Sequence, residues 1–233
     1  MDIKEFEDLI NKTISSIIVS IIDENKILNI SAKSRAGAEI SDFLETQFVI
    51  LANSNRYLLN AEQSPKGATK NPWDAKVNFK YENHLEEIWI DFKAIKIDQL
   101  GSNPDIGTPT KIVNFIQNGG FYLLYVYVFY RETDSGLEFC KVNNSFVKSY
   151  FLKDVHHSVR RNPKNQLQVC ISTEPEYRTR EEFIDLLFSK LKESYYRQIK
   201  IGEKELLTLE EKQAKIKEFN RHQETLLLNL RKS

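Results

Sequence analysis

The run Phe121–Tyr130, with the sequence FYLLYVYVFY, constrains the fold of this chain more than any other stretch. It is apolar on both alternating faces, whereas a strand at a sheet surface alternates apolar with polar residues. An Asn-Gly-Gly sequence at 118–120 precedes it and the segment ETDSG follows it, and both are typical of turns. We therefore predict a strand that is buried on both sides, as the central strands of α/β sheets are.

Helical and alternating hydrophobic patterns predict a mixed α/β order for the rest of the chain. Helices are predicted from Ile3 to about Asp23, over 31–53, over 109–117, from Thr179 onward and, after a break at Gly202, over 203–230. Strands are predicted over 77–80, 88–92, 121–130, 137–142 and 166–172, with a polar surface loop over 56–70. We therefore predict an α/β fold with a central mixed β-sheet flanked by helices and with a helical C-terminal tail.

The composition argues against several classes of protein. The 233 residues carry no net charge, and no apolar run approaches the ~20 residues of a membrane span. The N-terminus is acidic and amphipathic, unlike a signal peptide, and Cys140 and Cys170 are expected to be free thiols. These features predict a cytoplasmic protein with no membrane partner.

Three charged side chains that suit one chemical task are concentrated in the segment Asn71–Ala94. Asp91 and Lys93 end an apolar strand, and as residues i and i+2 their side chains point to the same face. If the two strands of this segment pair as a hairpin, Asp74 reaches that face as well. Two carboxylates and an ammonium can hold a divalent cation against a phosphate. The alternative is an exposed ion pair of ordinary strand-end residues.

In this order of elements the chain resembles the core of the PD-(D/E)xK nucleases, and within them the type II restriction endonucleases of the EcoRV/HincII sort. The resemblance spans roughly residues 35–183 and rests on RAGAE (Arg35–Glu39), IDFKA (Ile90–Ala94), NPDIGTPTKI (Asn103–Ile112) and YRTREEF (Tyr177–Phe183). One departure is that Trp73 separates Pro72 from Asp74, whereas the family's proline and aspartate are adjacent. The resemblance implies a single nuclease domain over 1–233, with a catalytic core at 35–175 and a helical extension at 179–233.

The resemblance implies a role for each charged residue of the pattern. Asp74 and Asp91 would ligate Mg²⁺, and Lys93 would stabilise negative charge near the attacked phosphate. Glu39 is the candidate for a further acid, with a solvated helix residue as the alternative. The implied reaction is hydrolysis of double-stranded DNA at a specific sequence, leaving 5′-phosphate and 3′-hydroxyl ends. Because two antiparallel strands must be cut, a homodimer acting on a palindrome is also implied.

The same resemblance indicates which residues would contact DNA. The loop Gly101–Thr110 matches a recognition loop in length and position, and its short polar side chains suit base-edge hydrogen bonds. The candidates there are Ser102, Asn103, Asp105, Thr108 and Thr110, with Lys111 beside them. The stretch from Phe139 to Gln166 has six lysines and arginines against one acid, and suits phosphate contacts. The candidates in this stretch are Lys148, Lys153, Arg160 and Arg161. A plain connecting loop and a solvated basic stretch are the alternatives.

Two further segments and two rival functions stay open on sequence alone. His156 and His157 have no third metal ligand at a useful spacing and are expected to face DNA or solvent. The charged helix Leu206–Leu230 is expected either to dimerise or to lie exposed. The rival functions are a DNA repair or junction-resolving nuclease on the same core, and a non-catalytic DNA-binding or assembly protein.

Overall fold

The structure is a computed structural model that describes residues 2–30, 36–65 and 73–230, with the main chain alone described for 225–230. Two compact units are present, residues 1–186 and residues 187–233. Arg35 and Pro72, which contribute to the family resemblance, lie outside the described residues. The first unit holds the β-sheet and the candidate site.

Four α-helices, nine strands and two short 3-10 turns form the regular structure of the described residues. The helices are α1 (Ile3–Glu24), α2 (Ala36–Ala52), α3 (Pro109–Gln117) and α4 (Arg180–Leu230). The strands are β1 (Ile27–Leu28), β2 (Leu58–Gln63), β3 (Ala75–Tyr81), β4 (His84–Lys96), β5 (Tyr122–Thr133), β6 (Gly136–Cys140), β7 (Val147–Phe151), β8 (Arg160–Arg161) and β9 (Leu167–Gln168).

One mixed sheet organises the first unit. Its strand order is β1-β6-β5-β4-β3-β2, with β7 also pairing with β5, while β8 and β9 form a separate hairpin. β4 and β5 are parallel and the other pairs are antiparallel. Parallel neighbours need a crossover connection, and α3 provides it between β4 and β5. The predicted fold class is therefore confirmed, and it is consistent with a restriction-endonuclease-like core.

β5 is the central strand that its sequence predicts. All nine residues from Tyr122 to Tyr130 are buried. Both faces are covered, since α1 and α2 contribute to the core on one side and the Tyr125 hydroxyl reaches the carbonyl of the buried Ile106 on the other. A continuous apolar run is the pattern that such two-sided burial requires.

α1 and α2 cover one face of the sheet through apolar stripes at helical spacing. α1 begins with a capping box in which Asp2 and Glu5 each accept the other's main-chain N–H, at 2.7 and 3.0 Å. The core on this face also contains Ile88, Ile90 and Phe92 of β4. Strand alternation therefore directs Asp91 and Lys93 to the opposite face, as predicted.

The predicted surface loop over 56–70 is wrong for its first half, since Leu58–Gln63 forms the edge strand β2. Its register against β3 shifts between Leu59 and Glu62, and Asn60 has a φ of 55°. A bulge of this kind breaks the alternation by which a strand is recognised in a sequence. Residues 66–70 of the predicted loop lie outside the described residues.

The C-terminal segments differ from expectation in two places. α4 continues through Gly202, so the predicted helix break there is wrong. The strand predicted over 166–172 is only two residues long, Leu167–Gln168. The predicted capping box is confirmed, because Thr179 N–H donates to Glu182 at 2.7 Å and Glu182 N–H donates to Thr179 Oγ1 at 3.2 Å.

Among the described residues, no helix has both the length and the hydrophobicity that a membrane crossing demands. α4 is long enough, at 51 residues, but charged side chains recur throughout its sequence. The sequence predicts this result, because none of its apolar runs approaches the length of a membrane span.

The variant Phe48→Ala tests how much the packing of α2 on the sheet contributes to the free energy of unfolding. The Phe48 side chain is fully buried, and its ring centroid lies 5.9 Å from that of Phe92 on β4. We expect Phe48→Ala to lower the free energy of unfolding by about 3–5 kcal/mol, because the large cavity is only partly refilled. Chemical denaturation measures this loss. The matched control Phe188→Ala removes a ring that is 44% exposed and should cost less than about 0.5 kcal/mol. Equal stability of the two variants would contradict this packing.

Candidate active site

The β3–β4 hairpin positions Asp74. The two strands pair without a shift from Ala75↔Ile90 to Tyr81↔His84. Asp74 lies immediately before β3, where its main-chain N–H donates to the Ile90 carbonyl at 2.8 Å. Its Oδ2 accepts the Phe92 N–H at 2.7 Å. Both contacts fix Asp74 beside the strand that carries the other candidate residues.

Asp91 and Lys93 form the second part of the site. Lys93 Nζ lies 2.7 Å from Asp91 Oδ1, and the lysine and aspartate side chains are 29% and 13% exposed. In the parallel register with β5, Asp91 is opposite Tyr125 and Lys93 is opposite Tyr127. Because both tyrosines are fully buried, the aspartate and the lysine have aromatic neighbours rather than water on the β5 side.

Burial raises the pKa of both aspartates. The pKa of Asp74 rises to about 7, mainly through burial and then through the charge of Asp91. The pKa of Asp91 is also raised by burial, although Lys93 acts in the opposite direction. Burial lowers the pKa of Lys93, but its ion pair with Asp91 outweighs this and raises the pKa above the usual value. The lysine is therefore an ammonium, and both carboxylates are stabilised by any added positive charge.

The acid of α2 that interacts with Asp74 and Asp91 is Glu45. Its pKa is raised to about 8 by burial and by the charges of Asp74, Asp42 and Asp91. Ser41 Oγ donates to the Phe92 carbonyl at 3.2 Å, so this side of α2 faces β4. Glu45 follows Ser41 by four residues and lies on the same side of the helix.

Glu39, the acid favoured by the sequence, is exposed in the first turn of α2. It is not among the groups that contribute most to the pKa of Asp74, Asp91 or Glu45. The role assigned to Glu39 therefore stays a prediction. No local pattern of the sequence identifies Glu45, because its interaction with the aspartates depends on how α2 packs on β4.

A cleft of about 280 Å³ brings the predicted catalytic residues together with part of the predicted recognition loop. The candidate residues that line it are Asp74, Asp91, Lys93, Asp105, Thr108 and Lys111. The loop is fixed at the cleft by Ile106, whose carbonyl accepts the Tyr125 hydroxyl and whose N–H donates to the carbonyl of Leu167 on β9 at 2.8 Å. Residues far apart in the sequence therefore share one concave site.

The other predicted DNA-contacting residues lie outside this lining. Asn103 and Thr110 are exposed and Ser102 is half-buried in the same loop. Arg160 is exposed on β8. Arg161 donates from Nε to Asn165 Oδ1 at 2.6 Å. All five remain predictions, because no bound DNA tests them.

The structure corrects the prediction for Lys153. This side chain is 1% exposed, and its Nζ lies 2.8 Å from Glu7 and 2.7 Å from Asp154. It also donates to the Arg178 carbonyl at 2.7 Å. A buried ammonium with three internal partners cannot contact a DNA phosphate, and its role is structural.

Lys148 is similarly engaged within the protein. Its Nζ donates to the main-chain carbonyls of Ile171 and Thr173, at 3.1 and 2.6 Å. These two bonds connect β7 to the segment before α4. The basic stretch predicted from the sequence therefore presents less positive charge to solvent than its composition indicates.

The donor set of the cleft suits a hard divalent cation. Asp74 and Asp91 supply carboxylate oxygens, which are the ligands that Mg²⁺ prefers, whereas imidazole and thiolate are absent from the described residues that line the cleft. A cation held between the carboxylates would also offset the repulsion that raises the pKa of Asp74. The residues therefore fit a magnesium site on their own chemistry.

A comparison with known protein families gives a match over most of the chain. The SwaI-like family, described as SwaI restriction endonuclease, matches residues 2–209. This span contains the sheet, the cleft and the first part of α4. No curated protein matches the chain.

Asp74→Asn tests the electrostatic description of the cleft. Between the usual aspartate pKa of 3.8 and the folded pKa of about 7, the folded state binds more protons than the unfolded state, so stability falls as pH rises through this window. The amide removes this penalty and can still accept the Phe92 N–H. In a metal chelator at about pH 8, we expect the variant to be more stable than wild type by up to about 4 kcal/mol, with the difference vanishing toward about pH 4.

Denaturation at several pH values measures this effect, with Asp134→Asn as the control at an exposed turn position. The control should follow the wild-type profile. A stability difference between Asp74→Asn and wild type that does not grow from about pH 4 to about pH 8, or an Asp74→Asn variant that is less stable than wild type at about pH 8, would contradict the description.

Lys153→Ala separates a structural role from a DNA contact. It leaves the buried carboxylate of Glu7 without its cation, and we expect a loss of about 3–5 kcal/mol in the free energy of unfolding. Thermal or chemical denaturation measures it. Arg160→Ala, at an exposed position of the same predicted set, should change stability by less than about 0.5 kcal/mol. A stable Lys153→Ala protein that binds DNA weakly would restore the original prediction.

Proposed function

Because the chain belongs to the SwaI restriction endonuclease family, we propose that it is a Mg²⁺-dependent type II enzyme that cuts double-stranded DNA at a specific sequence. The products would carry 5′-phosphate and 3′-hydroxyl ends. The observation that carries the proposal is the convergence of Asp74, Asp91 and Lys93 in one cleft with residues of the loop that follows them. We also propose that the enzyme is of the EcoRV and HincII sort, as the sequence motifs indicate.

The acidic side chains of the cleft support the proposal that a cation takes part. Asp74, Asp91 and Asp105 line the cleft with Lys93 and Lys111. Burial disfavours the charged forms of Asp74 and Asp91. A bound cation would let both carboxyl groups ionise, and without it their negative charge would repel a DNA phosphate. Mg²⁺ bound to Asp74 and Asp91 would offset this charge and acidify a water molecule for attack on phosphorus.

The chain's own residues then have separate tasks. Asp91 is buried against Tyr125, and Asp74 is bonded to the β4 main chain, so both carboxylates are held in place before substrate arrives. Lys93 keeps its positive charge through the ion pair with Asp91 and can stabilise negative charge that develops on the phosphate. Glu45, whose pKa of about 8 keeps it protonated near neutral pH in the absence of a cation, is proposed as the further acid of the site.

Recognition of the DNA sequence is proposed for the loop at the cleft. Asp105 and Thr108 line the cleft, and Asn103 and Thr110 are exposed next to them. Asp105 accepts hydrogen bonds from Gln168 at 2.7 Å and from Asn162 at 3.3 Å, so the β8–β9 hairpin holds this part of the loop. Polar side chains on a supported loop suit hydrogen bonds with base edges in a groove.

Phosphate contacts are proposed for the remaining basic residues of the predicted set. Arg160 is exposed on β8, Arg161 follows it, and Lys111 lies in the cleft. Arginine and lysine contacts with the DNA backbone fix the position of an enzyme without specifying sequence. Binding that depends on them falls as salt concentration rises.

A homodimer is proposed because duplex DNA presents two symmetry-related strands for cleavage. Each chain contributes the cleft described above, and duplex DNA has two antiparallel strands that a two-fold pair of clefts can cut. In the second unit, α4 exposes several large apolar side chains that an association between copies could bury. They are Ile199, Ile201, Leu206, Leu207, Leu209, Ile216 and Phe219.

Digestion of a large viral DNA with and without Mg²⁺ tests the proposed function. We expect discrete fragments only with the metal, because in the proposed reaction the cation binds the phosphate and acidifies the attacking water. Asp74→Ala and Lys93→Ala should each reduce the cleavage rate at least about a hundredfold, since each removes a group that contacts the reacting centre. Labelling and ligating the fragment ends tests the 5′-phosphate.

Exposed residues supply the matched controls for this experiment. Asp134→Ala and Lys80→Ala change the same residue types away from the cleft and should cut like wild type. A smear of products would favour a repair or non-specific nuclease. Cleavage that survives a chelator, or that persists in Asp74→Ala, would refute the proposed site.

A further inference from the structure

A second cluster of possible metal ligands lies outside the cleft. His156 and His157 follow the short 3-10 turn Leu152–Asp154, and Glu176 lies on the segment before α4. One ligand atom from each of the three residues lies within 4.8 Å of the others. No third ligand for this histidine pair is evident in the sequence because Glu176 is 19 residues beyond His157. The fold supplies it.

The distances within the cluster are close to those of a coordination sphere. Glu176 Oε1 lies 3.3 Å from His156 Nε2 and 2.6 Å from His157 Nδ1. Ligands of a tetrahedral zinc ion, bound at about 2.0–2.1 Å, lie roughly 3.3 Å apart. The first distance already meets this value. The second is that of a hydrogen bond and would lengthen by a few tenths of an ångström on metal binding.

The carboxylate of Glu176 is held so that one oxygen faces the histidines. Its other oxygen, Oε2, accepts from Arg178 Nη2 and from the His157 main-chain N–H, the latter at 3.3 Å. Arg178 is itself anchored, because its Nη1 donates to the carbonyls of Val155 and Glu176. Ligating carboxylates in proteins are commonly oriented by such outer hydrogen bonds.

His156 is oriented in the same way. Its Nδ1 lies 2.8 Å from Ser158 Oγ, which leaves Nε2 directed at Glu176. The two imidazole rings have centroids 4.1 Å apart. Both histidines are therefore on one side of the carboxylate, with His157 largely exposed and open to solvent ligands.

We propose that His156, His157 and Glu176 form a binding site for a divalent cation of the zinc class, separate from the proposed magnesium site. Imidazole nitrogen with one carboxylate is a donor set for Zn²⁺, Co²⁺ or Ni²⁺, whereas Mg²⁺ prefers oxygen ligands. Water would complete the coordination. The charge of Arg178 opposes the cation, so the site is weaker than a closed four-ligand zinc site.

Because of its position, a cation at this site would affect the β8–β9 hairpin. A cation bound there closes the chain segment from His157 to Glu176, which carries the β8–β9 hairpin. Gln168 of that hairpin donates to Asp105 at the cleft. Cation binding would therefore stabilise the support of the proposed recognition loop without contacting the cleavage centre.

Zinc titration of the full chain by calorimetry tests the proposal. An excess of Mg²⁺ is present throughout, because it competes at carboxylate sites and not at imidazole sites. We expect one equivalent of Zn²⁺ to bind wild type, and His157→Ala and Glu176→Gln to weaken binding by at least about 10–100-fold. His222→Ala, which removes an exposed histidine from α4, should bind like wild type.

Two further readouts distinguish the ligands and the location. Co²⁺ bound in place of Zn²⁺ should give visible absorption bands that are lost in His157→Ala. Zn²⁺ should raise the thermal midpoint of wild type but not of His157→Ala, since only binding to the folded state stabilises it. Circular dichroism in a chelator confirms that each variant is folded.

Asp74→Asn separates this site from the proposed function. Zinc binding that persists in Asp74→Asn and vanishes in His157→Ala supports the proposal even if the chain cuts no DNA. Binding that Asp74→Asn abolishes would place the ion in the cleft and overturn it. Absence of binding, or binding unchanged in both His157→Ala and Glu176→Gln, would show that the cluster is only a set of contacts between the histidines and the glutamate.

Discussion

The burial of two neighbouring carboxyl groups, Asp74 and Asp91, is the constraint that the fold of the first unit has to satisfy at the candidate site. Burial disfavours their charged forms and so raises the pKa of each, and the charge of Asp91 raises that of Asp74 further. The fold tolerates this because the Phe92 N–H donates to Asp74 and Lys93 pairs with Asp91. An arrangement that costs stability in the free protein is typical of a site prepared for a cation. The surrounding sheet is what keeps the two groups together against that cost.

Local patterns were enough to predict several parts of the site from the sequence. The spacing of Asp91 and Lys93 places both on one strand face whatever the rest of the chain does. The apolar run of β5 requires two-sided burial, and the structure confirms it. The hairpin that brings Asp74 to Asp91 was predictable because β3 and β4 are adjacent in the sequence and joined by a short polar turn. Family membership then agrees with the nuclease resemblance.

The parts that the sequence could not predict depend on partners far along the chain. Lys153 looks like one of several basic residues, but Glu7 on α1 turns it into a buried ion pair. β2 escapes notice because a bulge at Asn60 interrupts its alternation. Glu45 approaches the aspartates only because α2 packs on β4, and Glu176 reaches the histidine pair only after the β8–β9 hairpin returns the chain. The contacts of Lys153, Glu45 and Glu176 are tertiary contacts that override the local pattern, whereas β2 is missed because of its own bulge.

Our central claim is that Asp74 and Asp91 together hold a divalent cation. The most direct measurement is anomalous diffraction from crystals of the protein soaked with Mn²⁺, which takes oxygen ligands as Mg²⁺ does. We expect an anomalous peak at ligand distance from carboxylate oxygens of both aspartates, and no such peak in crystals of Asp74→Asn. Ordered Mn²⁺ elsewhere with no density between the two carboxylates, or a peak that persists in the variant, would contradict the claim.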